Sequence, residues 1–219
     1  MNKSLFHIIV LASGNGTDLG AIIEAKKEGI LPQVEVLGVI SNKNLGALEK
    51  ARNFGCPAVY VPVPESGNEN VSASGRDETI KNYDQKLLAE IKKLGSPDLI
   101  CLIGYMRILS PEFIRAFPKK IINVHPALLP KFGGMGMYGD HVHEAVLASG
   151  EKESGMTIHY VTEDVDAGEI ILQKKCEITE NETVTSLKAK VQALEKEGYV
   201  EALEKLSASL PLSPAYIFG

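Results

Sequence analysis

The chain has 219 residues, 44% hydrophobic and 23% charged, and its 23 Lys+Arg against 28 Asp+Glu give a net charge of −5. A chain of that length buries roughly 70% of its unfolded surface, so it folds without disulfide or metal, and one domain over residues 1–219 is expected. The negative balance argues against a broad nucleic-acid surface. The three scattered cysteines exclude a disulfide scaffold or zinc ribbon and fit a reducing cytoplasm, and no apolar run approaches the ~18 residues of a membrane span.

Residues 7–12 (HIIVLA) form an apolar run that passes straight into SGNG, which predicts a buried first strand rather than a signal peptide. From Thr17 to about Glu28, Leu19, Ile22, Ile23 and Ala25 recur at helical spacing. A second strand is predicted at 34–40, a helix at 45–54 and a third strand at 58–63, where Pro62 marks an edge or a strand end. Residues 64–75 are polar and turn-rich and read as a mobile loop. A long helix runs from Asp77 to Leu94, followed by the wholly apolar run 98–103, the kind of strand that lies centrally in a parallel sheet. Ser110-Pro111 starts a short helix, and a strand follows at 120–124. Beyond it come a helix near 141–149, two strands at 155–162 and 169–178, and a charged helix from about Thr183 to Leu206. The fold class is therefore α/β: a doubly wound, mostly parallel sheet with helices on both faces and an antiparallel edge hairpin.

The turn Ser13-Gly14-Asn15-Gly16-Thr17-Asp18 closes the first strand and opens a helix. Bare backbone N–H groups at a helix start receive an anion. The dinucleotide fingerprint fails, since Leu19 stands at the third glycine's position and Ser41-Asn42 replace the acidic residue after strand two. A mononucleotide or sugar phosphate fits better. Asn123 and His125, two apart on a strand, leave the same face, and Pro126 keeps His125 extended and exposed at the strand's carboxyl end. An amide donor beside an imidazole makes an oxyanion site with an acid/base attached. The turn 162–168 concentrates Glu163, Asp164 and Asp166. By itself it reads as a solvated hairpin. Beside His125, one of these carboxylates would keep the imidazole protonated near neutrality. His141 and His143 have no third ligand at metal spacing, so no metal is expected.

Together, Ser13 to Thr17, Gly104-Tyr105-Met106-Arg107-Ile108-Leu109, Asn123 to Pro130 and Asp166-Ala167-Gly168 resemble the phosphoribosylglycinamide formyltransferases, folate-dependent enzymes of purine synthesis. The resemblance extends from about Ile8 to Tyr199. It implies formyl transfer from 10-formyltetrahydrofolate to glycinamide ribonucleotide, in a monomer or homodimer. A phosphate-binding half would span about residues 1–100 and a folate-binding, catalytic half about 101–219. By resemblance Gly16, Thr17 and Asp18 meet the ribonucleotide phosphate, and Gln192 and Glu195 contact the same substrate. Met106, Arg107, Ile108 and Leu109 border the folate, which Thr162, Glu163, Asp164 and Val165 line by their backbone. Asn123 contacts the folate and its formyl group, His125 is the proton donor, and Asp166 supports it.

The chain departs from the family at Asp18, where Asn is common, which suggests that this carboxylate caps the helix and points away. The stretch Lys131 to His143 is longer than usual, and Arg76 aligns with a folate-contacting Arg only across an insertion. Methionyl-tRNA formyltransferase and formyltetrahydrofolate deformylase share this core but carry an additional domain after or before it. A chain running from its first strand to Gly219 is expected to be neither. The deformylase, with water as acceptor, is the main alternative. A non-catalytic nucleotide-binding module would not need His125 and Asp166 together.

Overall fold

The computed structural model describes residues 5–44, 46–63 and 73–208, with backbone alone for 73–77. The run expected as the first strand forms β1 (Phe6–Ala12), and α1 (Thr17–Lys27) follows the glycine loop. Then come β2 (Val34–Ser41), α2 (Ala47–Phe54) and β3 (Ala58–Tyr60). The last of these lies at the sheet edge and ends before Pro62, which has no N–H to give a ladder. Helix α3 (Ala73–Leu94) begins four residues earlier than the apolar stripe indicated, so 73–75 of the expected loop are helical; residues 64–72 lie outside the described residues. β4 (Leu99–Ile103), α4 (Pro111–Ala116), β5 (Ile121–His125), α5 (Asp140–Ala148), β6 (Glu153–Tyr160), β7 (Ile170–Glu177) and α6 (Val184–Ala208) complete the order.

The strands form one seven-stranded sheet in the order β3-β2-β1-β4-β5-β6-β7. Pairing is parallel from β3 through β5 and antiparallel for β5–β6 and β6–β7. Alternation along β1 separates two cores, because successive side chains point to opposite faces. Ile8, Val10 and Ala12 pack with Leu19 and Ile22 of α1 and Leu187, Val191 and Tyr199 of α6. Ile9 and Leu11 pack with Tyr83, Leu87 and Ile91 of α3 and Phe113 of α4. The double winding expected from the sequence is present. Among the described residues no helix is long and apolar enough to cross a membrane.

The parallel strands are added outward in one direction from β1 to β3 and in the other from β4, and this change of winding between β1 and β4 opens a crevice at their carboxyl ends. Short loops fix what surrounds it. Ser110 accepts a hydrogen bond from Phe113 N at 3.2 Å and caps α4, with Pro111 at the first helical position. Its own N–H donates to Asp84 Oδ2 at 2.6 Å, tying α4 to α3. Ser110→Ala removes the cap and is expected to cost about 1 kcal/mol, measured as a lower urea midpoint with an unchanged slope.

Candidate active site

The loop after β1 and the loop after β4 meet at the crevice, where Ser13 Oγ accepts from Met106 N at 3.1 Å. Gly16 is the N-cap of α1 in the left-handed region (φ 63°), and no side chain caps the helix. A Cβ there would lie 2.8 Å from Ala47 Cβ and 3.0 Å from Ala47 Cα, so both conformation and space demand glycine. The first turn of α1, without a side-chain cap, borders the cavity through Gly16, Thr17 and Asp18, and a helix start of this kind suits an anion. Asp18 departs from the expected cap that turns away. It is buried, lines the same cavity as Gly16 and Thr17, and makes no cap hydrogen bond.

The reactive centre is held by β5, β6 and the turn after β6. Antiparallel pairing sets Asn123 opposite His159 and His125 opposite Thr157. His125 Nε2 lies 2.7 Å from Phe132 O, and because a carbonyl only accepts, that nitrogen carries a proton. His125 Nδ1 lies 3.4 Å from Asp166 Oδ2, which also accepts from Gly134 N at 3.0 Å. His159 Nδ1 likewise donates to Tyr160 O at 2.9 Å. Its Nε2 is 3.5 Å from both Asn123 Nδ2 and Asp166 Oδ1, accepting from the amide when bare and donating to the carboxylate when protonated. Both groups that grip His125 come from non-glycine residues in the left-handed region, Phe132 (φ 57°) and Asp166 (φ 56°). Such conformations cost energy and cluster where geometry is held for function. Gly168 lets the turn close, since a Cβ there would sit 1.8 Å from Tyr160 O.

Two expectations for His125 are corrected. It is not exposed at the strand end but 3% accessible. Burial pushes its pKa below the ordinary 6.5, and the Asp166 charge and the Phe132 carbonyl oppose that shift without reversing it. The sequence reveals the carboxylate but not the desolvation. Burial raises the Asp166 carboxyl, yet the His159 hydrogen bond, the His125 charge and the Gly134 N–H together hold it below 3.8.

Gly16, Thr17, Asp18, Asn123, His125, His159 and Asp166 border one cavity of about 470 Å³. Met106 and Ile108 expose 57% and 51% of their surfaces on its rim, an apolar presentation suited to a flat ring system. Leu109 turns into the core while still bordering the cavity. The Arg107 guanidinium stacks 4.4 Å from the centre of the Tyr83 ring, and its Nε is buried with no partner among the described residues. Thr162, Glu163 and Val165 border the cavity as expected, but Asp164 does not. The Asp164 carbonyl instead accepts from Thr162 Oγ1 at 2.9 Å, closing the turn on itself. Gln192 and Glu195 project from α6 at the glycine-loop end.

The structure thus gathers every predicted site residue except Asp164 around one cavity. It adds His159 and Lys188, which the sequence reading missed, and His143, which that reading weighed only as a metal ligand. A histidine inside the apolar run MTIHYV was the available signal for His159. The long stretch 131–143 covers the cavity through Gly134, Met135 and Tyr138, and the side chain of Arg76 lies outside the described residues.

Residues 6–203 match a family model described as formyl transferase. The phosphoribosylglycinamide formyltransferase of Escherichia coli (strain K12) is 36% identical over 194 residues, 88% of this chain and 83% of that one. The chloroplastic phosphoribosylglycinamide formyltransferase of Vigna unguiculata is also 36% identical, over 91% of this chain, which spans 60% of that relative's length. The crystal structure of glycinamide ribonucleotide transformylase 1 from Symbiobacterium toebii superposes with a TM-score of 0.79 at 35% identity, covering 93% of this chain and 88% of that one. With its sheet order, its glycine loop and the Asn123–His125–Asp166 cluster, the chain belongs to the formyl transferase family.

Proposed function

We propose that the chain transfers a formyl group from 10-formyltetrahydrofolate to the primary amine of N1-(5-phosphoribosyl)glycinamide, as a cytoplasmic enzyme that uses no metal. The observation that carries this reading is that one cavity joins an uncapped helix N-terminus, an apolar rim and the cluster of Asn123, His125 and Asp166. The phosphate sits on the N–H groups at Gly16 and Thr17, and Gln192 and Glu195 face the sugar. The pterin rests on Met106 and Ile108, with the buried Nε of Arg107 offering a donor to its polar edge.

Formyl chemistry then falls between the two ligands. The amine nitrogen attacks the formyl carbon, forming a C–N bond while the carbonyl oxygen takes the π pair. Asn123 Nδ2 and a proton on His125 stabilise that oxygen. Collapse breaks the bond from carbon to the folate nitrogen, which leaves with its electron pair and takes a proton. The attacking amine loses a proton through water held on Asp166. Incubation with 10-formyl folate, with and without the ribonucleotide, tests the reading directly. The folate chromophore should change only when the ribonucleotide is present. Equal turnover without an acceptor would make the protein a hydrolase.

Gly16→Ala separates the two ligand ends. Placing a Cβ in left-handed backbone costs about 1–2 kcal/mol and crowds Ala47, so the KM for the ribonucleotide is expected to rise about tenfold. Folate affinity, measured by fluorescence quenching, should stay within twofold. Equal damage to both would remove the phosphate from this loop.

A further inference from the structure

The glycine-loop end of the cavity holds two carboxyl groups that the reaction above leaves without a chemical role. Asp18, at the second position of α1, is 3% exposed, and Glu195 faces the same space from α6, which packs along α1. Among the described residues Asp18 accepts one hydrogen bond, a long one of 3.5 Å from Thr17 Oγ1, and neither carboxyl forms a close ion pair. A buried carboxylate and a half-buried one that border one cavity, with no close ion pair, repel each other, and such sites relieve themselves by retaining a proton.

We propose that Asp18 and Glu195 share a proton in the ligand-free protein, and that Asp18 meets a phosphomonoester as a neutral hydrogen-bond donor, so that binding takes up a proton from solvent at pH values where the ligand-free pair has lost it. The inference rests on the reading of this end as the phosphate site. An ionised Asp18 would repel the dianion that the α1 N-terminus attracts, whereas a protonated one gives it an O–H.

The surroundings agree. Burial raises Asp18 from 3.8 to about 6, with the Lys196 charge and the Thr17 hydroxyl opposing. Burial and then the Asp18 charge raise Glu195 from 4.5 to about 8, with Lys188 opposing. From α6, Tyr199 also faces the pair; it is buried and its hydroxyl donates to Leu102 O. Cys101 lies beneath Tyr199 on β4, and burial keeps its thiol protonated. From α5, His143 is lowered by burial and then by Lys188, so it brings little positive charge at neutral pH. From α2, Lys50 is engaged with Asn15 O at 2.7 Å. The two carboxyls titrate as a coupled pair.

Two measurements on the whole protein test the proposal. The folded state holds protons that the unfolded chain releases, so Tm of the ligand-free protein should fall as pH rises from about 5.5 to about 8.5. Asp18→Asn should flatten that fall and raise Tm at the alkaline end. Titration calorimetry with ribose 5-phosphate at pH 7.5 and at pH 8.5, in two buffers of different ionisation heat, should show proton uptake of a fraction of one per ligand that grows at the higher pH, where more of the ligand-free pair has lost its shared proton. Affinity should drop about tenfold over the same pH range, and D18N should lose most of both effects. No proton uptake, or an unchanged pH profile in D18N, would overturn the proposal. If ribose 5-phosphate failed to bind at any pH, the donor role would be overturned as well. The formyl-transfer assay at pH 6 reports on the proposed activity separately, because it reads folate turnover rather than protons.

Discussion

Replacing His125 with alanine is expected to lower kcat by about 10²–10³ and to change either KM by no more than a few fold. In the proposed reaction the imidazole acts on an oxygen that becomes negative only in the transition state, so its loss would be felt in the rate rather than in ground-state binding. Because the ring is buried, its hydrogen bond to developing charge is not weakened by water. The Nε2 proton is held on the Phe132 carbonyl at 2.7 Å until a ligand oxygen competes for it. The lowered pKa makes the imidazolium a stronger acid than a free histidine, and it also limits its population. If His125 acts protonated, activity falls as pH rises through that lowered value. Folding has the opposite dependence: the unfolded histidine binds more protons than the folded one, so this group adds stability as pH rises. A His125→Ala variant with kcat within threefold of the parent would remove His125 from the chemistry.

Asp166→Asn is expected to lower kcat by about 10² and to move the His125 titration further down. Asp166 stands at φ 56°, a conformation asparagine tolerates well, so the backbone survives and the charge alone is tested. That charge is the largest influence opposing burial at His125, and without it only the Phe132 carbonyl opposes burial. A proton NMR titration of the His125 ring reads the shift directly, and no purely structural role predicts it. The Asp166 carboxyl lies below 3.8, so the stability it contributes is present above that value and is lost as pH falls through the lowered one. The Asp166→Asn variant lacks this acid limb. If the two side chains work on one proton, as the proposed reaction has it, the His125→Ala/Asp166→Asn double variant should be little slower than the slower single variant. Losses that multiply would place the two residues in separate steps, with His125 a substrate clamp.

The order of elements and the double winding were legible in the chain because both depend on local pattern. Alternating apolar residues make strands, 3.6-residue spacing makes helices, and Pro62, Ser110 and Pro111 mark ends by their own chemistry. Gly16 likewise announced a helix N-terminus suited to an anion, and Asn123 and His125 announced a shared face. What lay beyond the sequence depends on residues far apart meeting. His159 became part of the site only through the β5–β6 register, which sets it opposite Asn123. Asp164 and Asp166 are both acidic residues of one turn, and only the fold points the second at His125 and leaves the first outside the cavity. Protonation was hidden for the same reason. A neighbouring carboxylate can be guessed from sequence, but desolvation is a property of everything packed around a group. It reverses the expected shift at His125, and it raises the pKa of Asp18, which the sequence suggested was a helix cap pointing away.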